Sequence, residues 1–205
     1  MSLQERYEEH HRERRDEGDF VFVPERIPLF VAAIGRGKRV LDLGCRSGQL
    51  TKHFLEGNSV VGLDVDAAAL EKAATLGIET VQANVEEALP FEDASFDAVV
   101  AGELFEHLQF PDALVAEIRR VLRLGGVVVG SVPNAFRVQS RLRFLRGRPP
   151  EDDPTHLRMF SPHAMRALLA AFEDVCVDFV GGRYTRINAR LFARDLVFAA
   201  TKRAP

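Results

Sequence analysis

Only two cysteines, Cys45 and Cys176, occur in the 205 residues, which excludes a disulfide framework, and neither sits in a metal-ligand pattern. No apolar run approaches the ~20 residues that a membrane-spanning helix needs, so an integral membrane protein is excluded. An excess of positive charge is also missing. The chain carries 27 Lys and Arg against 30 Asp and Glu, a net charge of −3, and so shows no global bias toward nucleic acid. A hydrophobic leader is missing as well, because MSLQERYEEHHRERR is too charged for a secretory signal. These absences leave a cytoplasmic protein. What is present is a 46% hydrophobic composition, enough for a sizeable core without staples. With no internal repeat and no linker-like stretch, residues 1–205 read as one domain.

Residues 3–17, dense in Glu, Arg and His, read as a solvated helix. His10 and His11 lie on it without a third ligand at metal spacing, so no metal site is expected. A second helix over 24–34 opens at Pro24 and stops at Gly35 and Gly37. A strand-helix rhythm follows, with strands at 38–43, 59–63, 78–82, 96–101 and 126–132 and helices at 47–56, 66–76 and 112–123. The strands are apolar throughout rather than alternating, as expected of a parallel sheet covered on both faces. The alternation then implies right-handed crossovers and an α/β doubly wound fold. After residue 132 an Arg- and Pro-rich loop (133–154) leads to a helix at 161–171, opened by Ser161 and Pro162. Strands at 174–180 and 194–201 follow.

The first strand ends in Asp42-Leu43-Gly44-Cys45-Arg46-Ser47-Gly48. In doubly wound sheets ligands bind beyond the carboxyl ends of the strands. Gly44 lets a ligand approach the backbone, and Gly48 lets the next helix pack closely. The second strand, Val60-Val61-Gly62-Leu63-Asp64, ends in an acid that can accept hydrogen bonds from both hydroxyls of an adenosine ribose. That fits either NAD or S-adenosyl-L-methionine (SAM). A pyrophosphate wants G-x-G-x-x-G; here the spacing is D-x-G-x-x-x-G, and an acid beside a pyrophosphate would repel it. Beside an ammonium and a sulfonium the same acid is favourable, so the turn points to SAM.

These segments resemble the class I (seven-stranded, Rossmann-like) SAM-dependent methyltransferases, in particular the small stand-alone branch similar to ubiquinone- and menaquinone-type enzymes. The resemblance rests on VLDLGCRSG (40–48), VVGLDVD (60–66), ANVEEALPFEDASFDAVVAGELFEHL (83–108), IRRVLRLGGVVVGSVPN (118–134) and LVFAATK (196–202). It implies strand order 3-2-1-4-5-7-6 with the last strand antiparallel. It also implies a helical cap at 1–35, a SAM-binding core at 36–134, and a substrate-side lid with closing strands at 135–205. On this resemblance Asp42, Gly44, Cys45 and Gly48 would line the methionine end of SAM. Asp64 would hold the ribose and Val65 would lie beside the adenine. Asn84 and Val85 would read the adenine edge, and Glu103 and Leu104 would face the methionine. Arg26 would pair with the SAM carboxylate, against a reading as part of a solvated helix face. Two positions depart from the family pattern: Arg46 replaces the middle glycine of D-x-G-C-G-x-G, and Asn84 replaces a common Asp.

The expected activity is methyl transfer to oxygen or nitrogen of a small-molecule acceptor. The alternative is a SAM-binding regulatory or scaffold protein with little turnover, for which Arg46 is the main support. The candidate catalytic groups are His107, after the fourth strand, and His156, in the loop after the fifth. Each competes with a structural role in its own turn or loop. In Phe136–Arg148, Arg137, Arg141, Arg143, Arg146 and Arg148 occur with no acid, while Val138, Leu142 and Leu145 fall at helical spacing. This basic amphipathic helix could lid an acidic acceptor through Arg141 and Arg143, or touch a membrane surface carrying a lipid substrate. It could equally pair with Glu151, Asp152 and Asp153.

Overall fold

The computed structural model describes residues 24–151 and 153–203. The helix expected over 3–17, with His10 and His11, lies outside them. Seven strands form one sheet: β1 Arg39–Leu43, β2 Ser59–Asp64, β3 Glu79–Gln82, β4 Phe96–Gly102, β5 Leu122–Pro133, β6 Glu173–Val180 and β7 Asp195–Thr201. Their order is β3-β2-β1-β4-β5-β7-β6. The pairs from β3 to β5 are parallel, and β7 runs antiparallel to both β5 and β6. The expected order and the reversed last strand are both present.

The apolar runs place side chains on two faces. Leu41, Leu43, Val61, Leu63 and Val99 point to one core, with Leu114 and Ile118 of α3 (Pro111–Val121) and Met165 of α5 (Pro162–Leu168). Val40, Val60, Ala98, Val100 and Val129 point to the other, with Phe30 and Ile34 of α1 (Ile27–Ile34). α2 (Ala67–Ala74) is capped by Asp66, whose carboxylate accepts from the amides of Ala68 and Ala69. α4 (Val138–Leu145) and α6 (Ala189–Phe192) complete the helices of the described residues. None of these helices is long and apolar enough to cross a membrane.

Three expected boundaries move. The helix expected over 47–56 is reduced to a single 3-10 turn at Thr51–His53. Its start is impossible, because Arg46 and Gly48 take φ of 48° and 77°, outside the right-handed helical region. β5 begins at Leu122 rather than 126, with a register irregularity opposite Phe96 to Ala98. The helix expected over 161–171 ends at Leu168, while Ser161 caps it as anticipated.

One glycine ties the sheet to the loops above it. A Cβ on Gly130 would sit 2.2 Å from the Ala101 carbonyl oxygen and 2.3 Å from the Phe198 ring. Without it, the Phe198 ring packs edge-on to Phe105 at 5.6 Å, anchoring the turn after β4.

Candidate active site

Two groups of polar side chains meet at the carboxyl edge of the sheet. The first lies at the tips of β1 and β2. Asp42 is 2% exposed and accepts a 2.6 Å hydrogen bond from the Thr51 hydroxyl. Burial pushes its pKa up to about 7; the Thr51 bond opposes the rise and the charge of Asp64 adds to it. Asp64 joins two loops: one oxygen accepts from the Arg46 amide and the other from the Asp66 amide, each at 2.9 Å. Burial still raises its pKa, against those two amides. Each carboxylate oxygen retains a second lone pair for a ligand.

Asp42, Gly44, Cys45, Arg46, Ser47, Gln49, Leu50 and Gly102 line a cavity beneath this turn. Gly44 takes a φ of 70°, and a Cβ there would press on Leu104 at 3.3 Å. Gly48 does not line the cavity; a Cβ on it would lie 2.6 Å from Ile78, so it permits the turn, not a helix, to pack closely. Arg46 holds a left-handed conformation that glycine would adopt freely, at a cost on the order of 1–3 kcal/mol. Its backbone amide is what grips Asp64. The Cys45 thiol is buried, and burial together with Asp42 and Asp64 pushes its pKa up, so it is not a nucleophile.

Further along the edge, the Val65 carbonyl accepts from the Gln82 side chain at 3.0 Å. The Asn84 side-chain oxygen accepts from the Glu86 amide at 3.0 Å, closing the loop after β3, and Val85 packs on the main core.

The set suits SAM on its own chemistry. Two buried acids, Asp42 and Asp64, flank a turn with a positive-φ glycine backbone, favouring a sulfonium, an ammonium and a ribose diol and disfavouring a pyrophosphate.

The second group surrounds the turn after β4. Glu103, at φ 51°, receives Arg26 Nη1 at 2.9 Å and the Ser131 hydroxyl at 2.6 Å. Arg26 is fully buried and also reaches Asp195 at 3.5 Å. It thus enters a protein charge network, is no solvated helix residue, and is not among the residues lining the cavity. Burial and the Glu103 charge push Asp195 up to about 7, with Arg26 opposing.

Glu106 and His107 occupy the 3-10 turn Phe105–His107. The Glu106 carbonyl accepts from the Leu157 and Arg158 amides at 2.8 and 3.0 Å, and Arg158 Nε donates to the Leu108 carbonyl at 3.1 Å. The loop after β5 is thereby clamped to this turn. The clamp brings the two candidate histidines together, with ring centroids 4.7 Å apart. His156 Nδ1 lies 2.6 Å from Glu151. Burial pulls the His156 pKa down, but the Glu151 bond and the charges of Glu151, Asp153 and Glu103 outweigh it and raise it. His107 Nδ1 faces the Thr155 carbonyl at 3.3 Å and its hydroxyl at 3.1 Å. One ligand atom each from Glu106, His107 and His156 lie within 4.8 Å of one another, so these three could hold a metal ion.

Arg141 and Arg143 stand apart on α4, where their Nε atoms donate to the carbonyls of Phe136 and Pro149 at 2.8 and 2.9 Å. Glu151 faces His156. Sequence reasoning missed Thr51, Ser131, Asp195 and Glu151 as members of the site. A usable signal was Glu103-x-x-Glu106-His107, which stacks two acids and a histidine in one turn.

Residues 41–130 match the family model described as "Methyltransferase domain". The chain is 34% identical over 161 residues to a "Probable S-adenosylmethionine-dependent methyltransferase" of Mycolicibacterium smegmatis, covering 75% of this chain and 60% of that protein. It is 30% identical over 210 residues to the ubiquinone biosynthesis O-methyltransferase of Pasteurella multocida, covering 89% and 87%. The chain thus spans less than two thirds of the mycobacterial relatives, 60% or 55% of their lengths. Among solved structures, a SAM-dependent methyltransferase from Archaeoglobus fulgidus superposes with TM-score 0.70 at 20% identity over 86% of this chain and 91% of that one. One from Methanosarcina mazei gives 0.67 at 20% identity over 87% and 98%; at such identities the likeness is one of fold.

Proposed function

Because the chain belongs to the SAM-dependent methyltransferases, we propose that it catalyses methyl transfer from SAM to an oxygen or nitrogen of a small-molecule acceptor. The observation that carries this reading is the pair of buried acids, Asp42 and Asp64, set around the Gly44 turn at the carboxyl edge of a 3-2-1-4-5-7-6 sheet.

When bound, SAM supplies a methyl group on a positively charged sulfur, which leaves as an uncharged thioether. The protein therefore has to orient two reactants and exclude water more than it has to move charge. Asp64 would accept from the ribose hydroxyls, held in aim by the Arg46 and Asp66 amides. Asp42 would face the methionine end with Gly44 and Cys45, while Gly48 sets the packing of the turn. Val65, Asn84 and Val85 would border the adenine, and Leu104, against Gly44, would border the methionine. Arg26 would act through Glu103, fixing it at the tip of β4 rather than touching the SAM carboxylate. His107 and His156 would stand on the acceptor side and act on the incoming nucleophile. Arg141 and Arg143, on a helix whose Phe144 and Leu145 are exposed, would favour an acidic acceptor.

Calorimetric titration with SAM, S-adenosylhomocysteine and NADH tests the cofactor. Binding of the first two and not the third is expected, and Asp64→Ala should weaken SAM binding by about 1–3 kcal/mol. A mutant that binds SAM as tightly as the wild type would remove the ribose assignment. Transfer of labelled methyl from SAM across phenols, carboxylates, amines and sugars tests the activity.

A further inference from the structure

The two segments that leave the sheet beside Asp195 share a charge pattern that methyl transfer by itself does not call for. β5 ends at Pro133 and β6 at Val180, both at the carboxyl edge, and residues 134–150 and 181–194 follow them. Together they hold nine arginines, no lysine and none of the chain's 30 acids. Like charges gathered on one edge repel one another and draw in anions. The acids of the fold do not answer this charge. Among the described residues, the four arginines of 181–194 and, in 134–150, all but Arg143 form no ion pair.

Asn134 fastens the two segments together. Its backbone amide donates to the Arg194 carbonyl at 2.7 Å, and its Nδ2 donates to the carbonyls of Arg190 and Ala193 at 3.3 and 3.1 Å. Its Oδ1 accepts from the amide of Phe136, the residue before Arg137. Asn134 is 1% exposed, so this clasp belongs to the packed body of the fold. It ties the backbones of Arg137, Arg190 and Arg194 to one point at the tip of β7. Arg137 and Arg194 stand close enough to Asp195 for their charges to oppose the rise in its pKa, yet the ion pair there is made by Arg26. Glu103 is likewise answered by Arg26, so the acids at this tip do not occupy the arginines of the clasp.

We infer that Arg137, Arg190 and Arg194 form an anion-binding part of the acceptor site, and that the acceptor carries a phosphate ester. A carboxylate brings one charge and two oxygens, which a single guanidinium fork can match. A phosphate monoester brings about two negative charges at pH 7 and three terminal oxygens, which suits two or three guanidinia. Arginine to the exclusion of lysine points the same way, because its planar fork binds phosphate oxygens two at a time. On the proposed methyltransferase reading, on which this part rests, the phosphate is the handle and not the nucleophile. It anchors the acceptor at the tip of β7, and a hydroxyl or amine elsewhere on the molecule takes the methyl group.

The test is calorimetric titration of the full-length protein with phenyl phosphate, benzoate and phenol, at constant ionic strength and in the presence of S-adenosylhomocysteine. Phenyl phosphate should bind once per chain and about 10-fold or more tighter than benzoate, with phenol weakest. Arg137→Gln with Arg194→Gln should remove that preference while leaving S-adenosylhomocysteine affinity unchanged, which also shows that the variant folds. Arg146→Gln with Arg148→Gln, beyond the end of α4, should keep it. Equal binding of phenyl phosphate and benzoate by a protein that binds S-adenosylhomocysteine overturns this inference and spares the methyltransferase reading. An equal loss in the two double variants means a diffuse field rather than a site, and also overturns it. Binding of phosphatidylglycerol vesicles or of a short RNA, without binding of phenyl phosphate, gives the arginines to a macromolecular surface and overturns it too. A preference for phenyl phosphate in a protein that binds no S-adenosylhomocysteine sustains the anion site and removes the acceptor role built on it.

Discussion

Replacing Asp42 with Asn probes the cost at which the fold holds a carboxyl group ready for a positive ligand. Burial raises the Asp42 pKa from 3.8 to about 7, so the ligand-free folded state prefers the protonated form. A group whose folded pKa is raised contributes stability that is fully present below its unfolded pKa and is lost as pH rises through the folded value. For Asp42 the loss falls between about pH 4 and pH 7. A pKa difference of about 3, at about 1.4 kcal/mol for each, gives up to about 4 kcal/mol by pH 8. Asn keeps an oxygen for the Thr51 hydroxyl but has no charge to bury. Asp42→Asn and wild type should therefore be similarly stable near pH 4, with the variant ahead by up to about 4 kcal/mol near pH 8. Urea unfolding of SAM-free protein across that range measures this, and taking the difference between the two proteins cancels most other titrating groups. The same substitution should weaken SAM binding. A stability difference that stays flat with pH would mean that Asp42 titrates as an ordinary surface acid, and the argument for a pre-formed acidic pocket would fail.

Arg141→Ala with Arg143→Ala should leave SAM affinity unchanged and raise KM for a negatively charged acceptor, an effect that shrinks at high salt. Lost stability with unchanged acceptor kinetics would instead make the two arginines structural. Arg26→Leu should destabilise the protein by about 3–5 kcal/mol near pH 8, because Glu103 and Asp195 lose a buried partner. Since the pKa of Asp195 lies at about 7, the penalty should diminish in urea unfolding at lower pH, where that acid is protonated. A penalty independent of pH would dissociate Arg26 from Asp195.

The sheet was readable because its strands are buried on both faces, so Val60–Leu63 and Ala98–Ala101 show as unbroken apolar runs. The segment after β1 was misread as a helix because backbone strain at Arg46 leaves no trace in residue type: arginine is a good helix former, yet it sits here at φ 48°. Asp42 and Asp64 could be picked out by position alone, at the ends of strands. Arg26 could not, since its partners Glu103, just beyond β4, and Asp195 of β7 lie far along the chain and become neighbours only through the sheet order. The meeting of His107 and His156 depends on the Leu157 and Arg158 amides docking on the Glu106 carbonyl. A backbone contact of that kind has no sequence signature.

The placement of β7 between β5 and β6 also has a consequence for how the protein is made. β6 touches the sheet only through β7, and the Arg26 to Asp195 contact spans 169 residues. A ribosome adding about 5–20 residues per second needs roughly 10–30 s between those two residues. Through that interval Arg26 has yet to meet one of its acids, and from the completion of β5 until β7 is made the flank of β5, Val127 to Val132, is an open strand edge. A transcript broken before codon 195 would therefore yield a nascent chain with a five-stranded sheet and a sticky border. Synthesis of this protein should lean most on chaperones until β6 and β7 swing in to seal that border.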